Sequence, residues 1–318
     1  MFNFDAQQAL GFLVNQTSYI EPQVVEVQYP DIQYANLIPV DTSASDWAKS
    51  VTYYSVNRTG QAGWFHHYAK DTHVADSERA KHEVGIEMAD VGYRYSLEEL
   101  GQAMMIPGMN LPADRAIAAR RAYEEFVDGV ALLGDASKNF SGLIDYPGVT
   151  RVDVQADGTG GTGSWATKTA DQILRDVNSA LTGQWVASLQ VELADTVLLP
   201  VAAMADIATK RIDNTTMTVL QFLMLNNVYS HTTGRPLTIR AVRGLETAGT
   251  GDTGRMVAYR RDPQVLKMHI PMTHRFLPVW QTGPLLFDIP GIFRIGGLEI
   301  RRPGAVRYID GIMNSSYD

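Results

Sequence analysis

Three glycines, Gly158, Gly160 and Gly163, have the spacing G-x-G-x-x-G. In a dinucleotide-binding loop the last glycine opens a helix, and the helix N-terminus holds the pyrophosphate. Here Ser164-Trp165-Ala166-Thr167-Lys168 separate the loop from the next helix signal. The region where an acidic residue should follow reads "ALTGQW". That context fits a flexible loop better than a cofactor cradle.

The histidines gather early, at His66, His67, His73 and His82. "HEVGI" at 82–86 begins like H-E-x-x-H but carries Ile86 where the second ligand belongs. Zinc needs three or four ligands on a rigid frame, so surface histidines are the simpler reading and a pH-sensitive interface the alternative. The pairs Glu98-Glu99 and Glu124-Glu125 lie on helical patterns, where neighbours diverge by about 100° and do not converge as an acid/base dyad. No G-x-S-x-G elbow and no G-x-x-x-x-G-K-[ST] loop is present. With no cysteine, disulfides and thiolate chemistry are excluded. No catalytic, cofactor or metal residue emerges.

The elements that would position any chemistry point elsewhere. Residues 20–40 hold three prolines among β-branched residues and read as an extended arm that needs a surface to lie on. "VTYYSVNRTGQAGWFHHYA" at 51–69 reads as a long hairpin turning at its glycines. Its aromatic residues pack on their own subunit or on a neighbour. Residues 82–95 alternate as a strand, and Ser96 with Glu99 forms a capping-box pattern. A helix of about 21 residues is predicted over 113–133, with Ala119, Ala122, Phe126, Val130 and Leu133 as its apolar stripe. Asp128 falls away from that stripe.

That helix runs into "LLGDASKNFSGLIDYPGV" at 132–149. Gly134 suits a left-handed helix stop, Asp135–Ser141 a surface loop, and Pro147-Gly148 a turn. Thr169 with Gln172 predicts a helix to about Leu181. Strand and helix signals then alternate to about residue 260, and β and turn signals follow from Pro263.

The 318 residues are 45% apolar and 19% charged, a folding composition, with net charge −8. That charge argues against a basic groove tracking nucleic acid, though not against enclosing it. The N-terminus lacks a signal-peptide pattern, and no run approaches the roughly 20 apolar residues of a membrane span.

The order of elements, with Tyr95-Ser96-Leu97-Glu98-Glu99-Leu100, Leu132-Leu133-Gly134-Asp135 and Gly142-Leu143-Ile144, resembles tailed-bacteriophage major capsid proteins of the Hong Kong 97-like fold. The resemblance implies an α+β chain: an N-terminal arm at 1–45, an extended loop at 46–78, a peripheral domain at 79–164 and 261–318, and an axial domain at 165–260. It also implies pentamers and hexamers in an icosahedral shell around double-stranded DNA. The chain itself is then the main partner, with scaffolding, portal and decoration proteins as others. Host cytoplasm before assembly and virion capsid afterwards are the expected locations. No cofactor, catalysis or membrane contact is expected. Val24, Val25, Tyr29 and Tyr34 of the arm, and Arg58, Trp64, Phe65 and Tyr68 of the hairpin, are the candidate contacts between copies. "NRTGQAG" holds no lysine, so lysine–asparagine cross-linking is not carried over. An encapsulin-type nanocompartment, which shares the fold, is the near alternative. A nucleotide-binding α/β enzyme is the distant one.

Overall fold

The computed structural model describes residues 29, 31–64, 73–105 and 110–314. The chain opens with one helical turn, α1 (Tyr34–Leu37), then β1 (Val40–Asp41) and two long strands, β2 (Ser50–Thr59) and β3 (Asp76–Asp90). The arm was expected to stay extended to residue 40. It turns helical because the Asp128 carboxylate receives the N–H groups of Gln33 and Tyr34, and Leu37 and Ile38 are fully buried.

β2 pairs antiparallel with β3 from Ser50↔Gly85 to Thr59↔Asp76. The hairpin expected within 51–69 is therefore corrected: the return strand is 76–85, and "GQAG" starts a longer connection. β3 prevails because both its edges are paired. Ile86–Asp90 continue into β15, defined below, at Ile86↔Gly296 and Asp90↔Ile292.

β4 (Tyr93–Ser96) leads into α2 (Leu97–Ala103). The Ser96/Glu99 capping box is present in both directions, at 3.2 and 3.0 Å. The long helix α3 (Leu111–Leu132) starts at Asn110, whose side chain accepts the Ala113 N–H. Its 22 residues span about 33 Å. The expected stripe is only partly right. Ala119 and Val130 are buried, but Phe126 and Leu133 are exposed, and Tyr123, Val127 and Ala131 complete the core face.

Then come β5 (Gly134–Asp135), β6 (Phe140–Ser141), β7 (Thr150–Asp153) and α4 (Ala170–Ala187). The Thr169/Gln172 box caps α4, which runs six residues beyond Leu181. Next are β8 (Thr196–Leu199), α5 (Val201–Thr209), α6 (Val219–Leu225), α7 (Val228–Thr233), β9 (Thr238–Ala241) and β10 (Gly254–Tyr259). The return comprises β11 (Leu266–His269), β12 (Met272–Phe276), β13 (Trp280–Gly283), β14 (Leu286–Ile289), β15 (Gly291–Gly296), β16 (Leu298–Ile300) and β17 (Val306–Met313).

A five-stranded sheet, β7-β17-β10-β8-β9, separates two hydrophobic cores. Strand alternation accomplishes this. Leu198, Val257, Tyr259 and Tyr308 face a core completed by α3, Leu37 and Phe293. Val197, Leu199, Met256, Ala258 and Ile309 face a core completed by α4, α5 and α6. The C-terminal strand β17, expected with the peripheral return, thus lies in the sheet of the central α/β block and contributes to both cores. Among the described residues no helix is long and apolar enough to cross a membrane.

Candidate assembly surfaces

The arm is tied to α3 through a buried carboxylate. Asp128, 1% exposed, accepts the backbone N–H groups of Gln33 and Tyr34 on Oδ1 at 3.0 and 2.9 Å. Its Oδ2 receives Arg243 at 3.1 Å. The Tyr259 hydroxyl donates to the Leu37 carbonyl at 2.8 Å. Beyond, Lys267 pairs with Asp41 and, with Ser43, holds the Asp41 carboxyl well below the usual range. β1 thereby joins β11 in parallel register.

Among the described residues the β2–β3 hairpin is fixed at its root. Tyr53 stacks on His82 with ring centroids 4.8 Å apart, and the Arg301 guanidinium lies 4.5 Å from the Tyr53 ring centre. Arg301 is oriented by Glu299 at 3.0 Å, and Glu299 by buried His269 at 2.7 Å. Ser50 donates to Glu83 and Ser55 bonds His82. Past Tyr53 both strands are solvent-exposed. Tyr54 is 67% exposed and Trp64 94% exposed, large apolar groups that none of the described residues covers.

A second exposed apolar surface surrounds the β13-β14-β4 sheet. Trp280 lies on β13, Val279 and Leu285 flank the strands, and Met104 and Met105 follow α2. Sequence reading missed these residues; the signal was the apolar pairs beside proline, "MMIP" and "GPLLF".

The end of α3 is closed by its own chain. Gly134 adopts φ +80°, as a left-handed helix stop requires. Leu143 and Ile144 N–H groups bond the Ala131 and Leu132 carbonyls at 3.0 Å each, and both side chains are buried. Between them, Gly134–Asp135 and Phe140–Ser141 pair as a small half-buried hairpin with Phe140 packed on the core, and residues 136–139 at its tip form the exposed part of the expected surface loop.

The glycine loop does not open a helix. Gly158 and Thr162 close it, a short 3-10 turn at Trp165–Thr167 follows, and the Thr169 side chain caps α4. Lys168 is buried against Asp176 at 2.6 Å and Asp157 at 3.1 Å. The loop is a structural turn held by ion pairs, and the pyrophosphate geometry is absent from it.

Of the candidate contacts, Tyr29 is exposed with the Arg121 guanidinium 3.5 Å over its ring. Arg58 is exposed on β2 opposite Ser77. Tyr34 packs partly buried on its own core, and burial followed by Glu124 and Asp128 raises its phenol pKa. Its placement is thus within the subunit. Val24, Val25, Phe65 and Tyr68, like His66 and His67, lie outside the described residues. Among the described residues no three potential ligands gather as a metal site.

The family model for major capsid proteins matches residues 60–312. The fold is similar to the capsid of Myoviridae phage XM1, with TM-score 0.79 and 20% identity over 93% of this chain and 97% of that one. It is similar also to the capsid of a native GTA particle, with TM-score 0.65 and 11% identity over 98% and 99%. A structure from Mycobacterium phage Ogopogo aligns with TM-score 0.61 and 13% identity over 94% and 98%. No curated protein matches the chain. These findings do not favour the nanocompartment alternative, and they give the subunit a structural role in a virion capsid. With two cores around a shared sheet, a long helix and a projecting hairpin, the chain belongs to the major capsid protein family of tailed phages, shell-forming subunits of the Hong Kong 97-like fold.

Proposed function

We propose that copies assemble as pentamers and hexamers of a closed shell around double-stranded DNA, with the β2–β3 hairpin lying on a neighbouring copy. The hairpin carries the reading. A two-stranded ribbon is at best marginal in water, and this one projects Tyr54, Val56 and Trp64 beyond its last anchor at Tyr53. A neighbour's surface supplies what the subunit's own core does not.

In this reading residues 1–45 form the arm and 46–78 the extended loop. Residues 79–164 and 261–318 form the peripheral domain, and 165–260 the axial domain, with β17 shared between them. Tyr29, Arg58 and Trp64, with Val24, Val25, Phe65 and Tyr68, contact adjoining copies. The subunit performs no catalysis. It accumulates in host cytoplasm and meets scaffolding, portal and decoration proteins during assembly. Net charge −8 keeps the wall as a whole from binding the enclosed DNA tightly.

Ser55 and Ala80 are directly opposite across the hairpin. Replacing residues 56–79 by Asn-Gly removes the distal ribbon and keeps the root. The expected product is a folded, soluble subunit that forms no closed particles in negative-stain microscopy. Normal closed shells from this variant would overturn the reading.

A further inference from the structure

Arg307 stands on β17 without an acidic partner. Among the described residues no carboxylate lies within ion-pair distance of it, and its Nε is buried without a hydrogen-bond partner. Burial lowers its pKa, so its charged form is under-solvated where it sits. The guanidinium is half-buried and lines an open groove without a carboxylate partner, so a bound anion would offset the cost that burial imposes on its charge.

Its surroundings form a groove. Arg307 and Ile309 make the floor, Val152 and Gln155 one wall, and Arg175 and Ser179 of α4 the other. The cavity is ≈ 180 Å³. That is several times the ~30 Å³ share of one water in the liquid, enough for a tetrahedral oxyanion. Carboxylates nearby are otherwise engaged. Asp176 is taken by Lys168 at 2.6 Å, and Arg175 pairs with Asp157. Asp153 also lines the groove, but its register with Asp310 turns its side chain to the sheet face opposite to Ile309.

The sequence makes room for this arginine. Gly183 lies inside α4, where glycine costs about 1 kcal/mol relative to alanine. A Cβ at position 183 would lie 2.4 Å from Arg307 Nη1. The guanidinium therefore lies close against α4 at Gly183.

We propose that the groove between β7 and α4 binds a phosphate-type oxyanion, with Arg307 as its principal ligand and the Ser179 hydroxyl as a further donor. The phosphate is either a free ion or a phosphodiester of nucleic acid, and both present the same oxygens to a guanidinium.

Thermal unfolding of the full chain in phosphate and in chloride, at matched ionic strength, tests the site. A parallel series contains a short single-stranded DNA oligonucleotide. Anion binding raises the midpoint by mass action, by ~3 °C for occupancy well above the dissociation constant. A rise in phosphate alone identifies the free ion, and a rise in both series shows that a phosphodiester also reaches the groove. Arg307→Leu abolishes the rise. Ser179→Glu, at an exposed helix position, places a carboxylate in the groove and abolishes it too. Should Arg307→Leu fail to fold, Ser179→Glu decides. No rise in either series, or an equal rise in either variant, overturns the site.

Discussion

Asp128 Oδ1 accepts the Tyr34 backbone N–H at 2.9 Å, joining the C-terminal part of the long helix to the arm across 94 residues of sequence. The same oxygen takes the Gln33 N–H, and Oδ2 takes Arg243. Asp128→Ala strands two helix-start N–H groups and one guanidinium. The expected loss is about 2–4 kcal/mol, seen as a lower midpoint in chemical denaturation. Limited proteolysis near Tyr34 accelerates in the same variant. Asp128→Asn keeps an acceptor for the arm and loses less. A variant as stable as the parent, with an unchanged cleavage rate, contradicts this role.

Two glycines in one short stretch should respond differently to alanine. A Cβ at Gly142 would lie 2.2 Å from the Leu132 carbonyl oxygen, a backbone atom that cannot rotate away. That carbonyl also receives the Ile144 N–H, so relieving the clash opens the helix end. Gly148 has φ +82° but nothing within 4 Å of a Cβ. Gly148→Ala carries only conformational strain of ~1 kcal/mol. Gly142→Ala is expected to cost more than about 3 kcal/mol or to prevent folding. Soluble yield and thermal midpoints of the two variants give the comparison, and equal losses contradict it.

Legibility in the sequence followed the range of the forces. The Ser96/Glu99 and Thr169/Gln172 caps and the Gly134 stop each depend on a few neighbouring residues, and all three are present. The hairpin's return strand was misplaced because its partner choice depends on β15, some 200 residues away. The face of α3 was ambiguous by about one residue, or 100°. Tyr123 and not Phe126 reaches the core centre, where it meets Phe293 edge-on at 4.7 Å and stacks on His274. Burial of Asp128 left no local trace, since two of its partners are backbone amides of the arm. For the hairpin aromatics the sequence left packing on the own subunit and on a neighbour both open, and Trp64 is 94% exposed. The exposed set around Trp280 was not legible, because its members come from segments nearly 200 residues apart in sequence.

Arg255 and Asp310 hold the shared sheet to the end of the long helix. Arg255 meets Asp310 with two bonds, at 2.6 and 2.8 Å, and donates to the Ile144 carbonyl at 2.8 Å. Its guanidinium also lies 4.7 Å from the Tyr308 ring centre. Arg255 and Asp310 are each 1% exposed, so removing the cation leaves an uncompensated carboxylate. Arg255→Ala is expected to cost about 3–5 kcal/mol. Arg255→Lys keeps the charge but cannot make the paired bonds or serve Ile144 together with Asp310. It should recover only part of the loss in urea unfolding. Full recovery by lysine would show that charge alone, and not the fork of the guanidinium, matters.

Acid should loosen the fold through its depressed carboxylates. Lys267 and Ser43 lower the Asp41 pKa. Burial opposes ionisation at Glu299 and Asp310. Hydrogen bonds from His269 and Arg301 outweigh it at Glu299, and those from Arg255 and Thr250 at Asp310, so both are lowered as well. A carboxylate depressed in the folded state stabilises fully above its unfolded value of about 4. It loses that contribution as pH falls through its folded value. Asp176 runs the other way: burial outweighs Lys168 and raises its pKa, so its own contribution fades as pH rises. Glu83, Glu99, Asp135, Asp157 and Asp288 are lowered as well, so against Asp176 alone the thermal midpoint should fall as pH drops below about 4. Asp41→Asn should lower the midpoint at pH 7, where the Lys267 pair is lost, and narrow the gap to the parent at pH 3. Midpoints measured from pH 3 to 7 on both proteins check this. A variant curve that runs parallel to the parent's across the whole range would show that the Asp41–Lys267 pair does not set the acid limb.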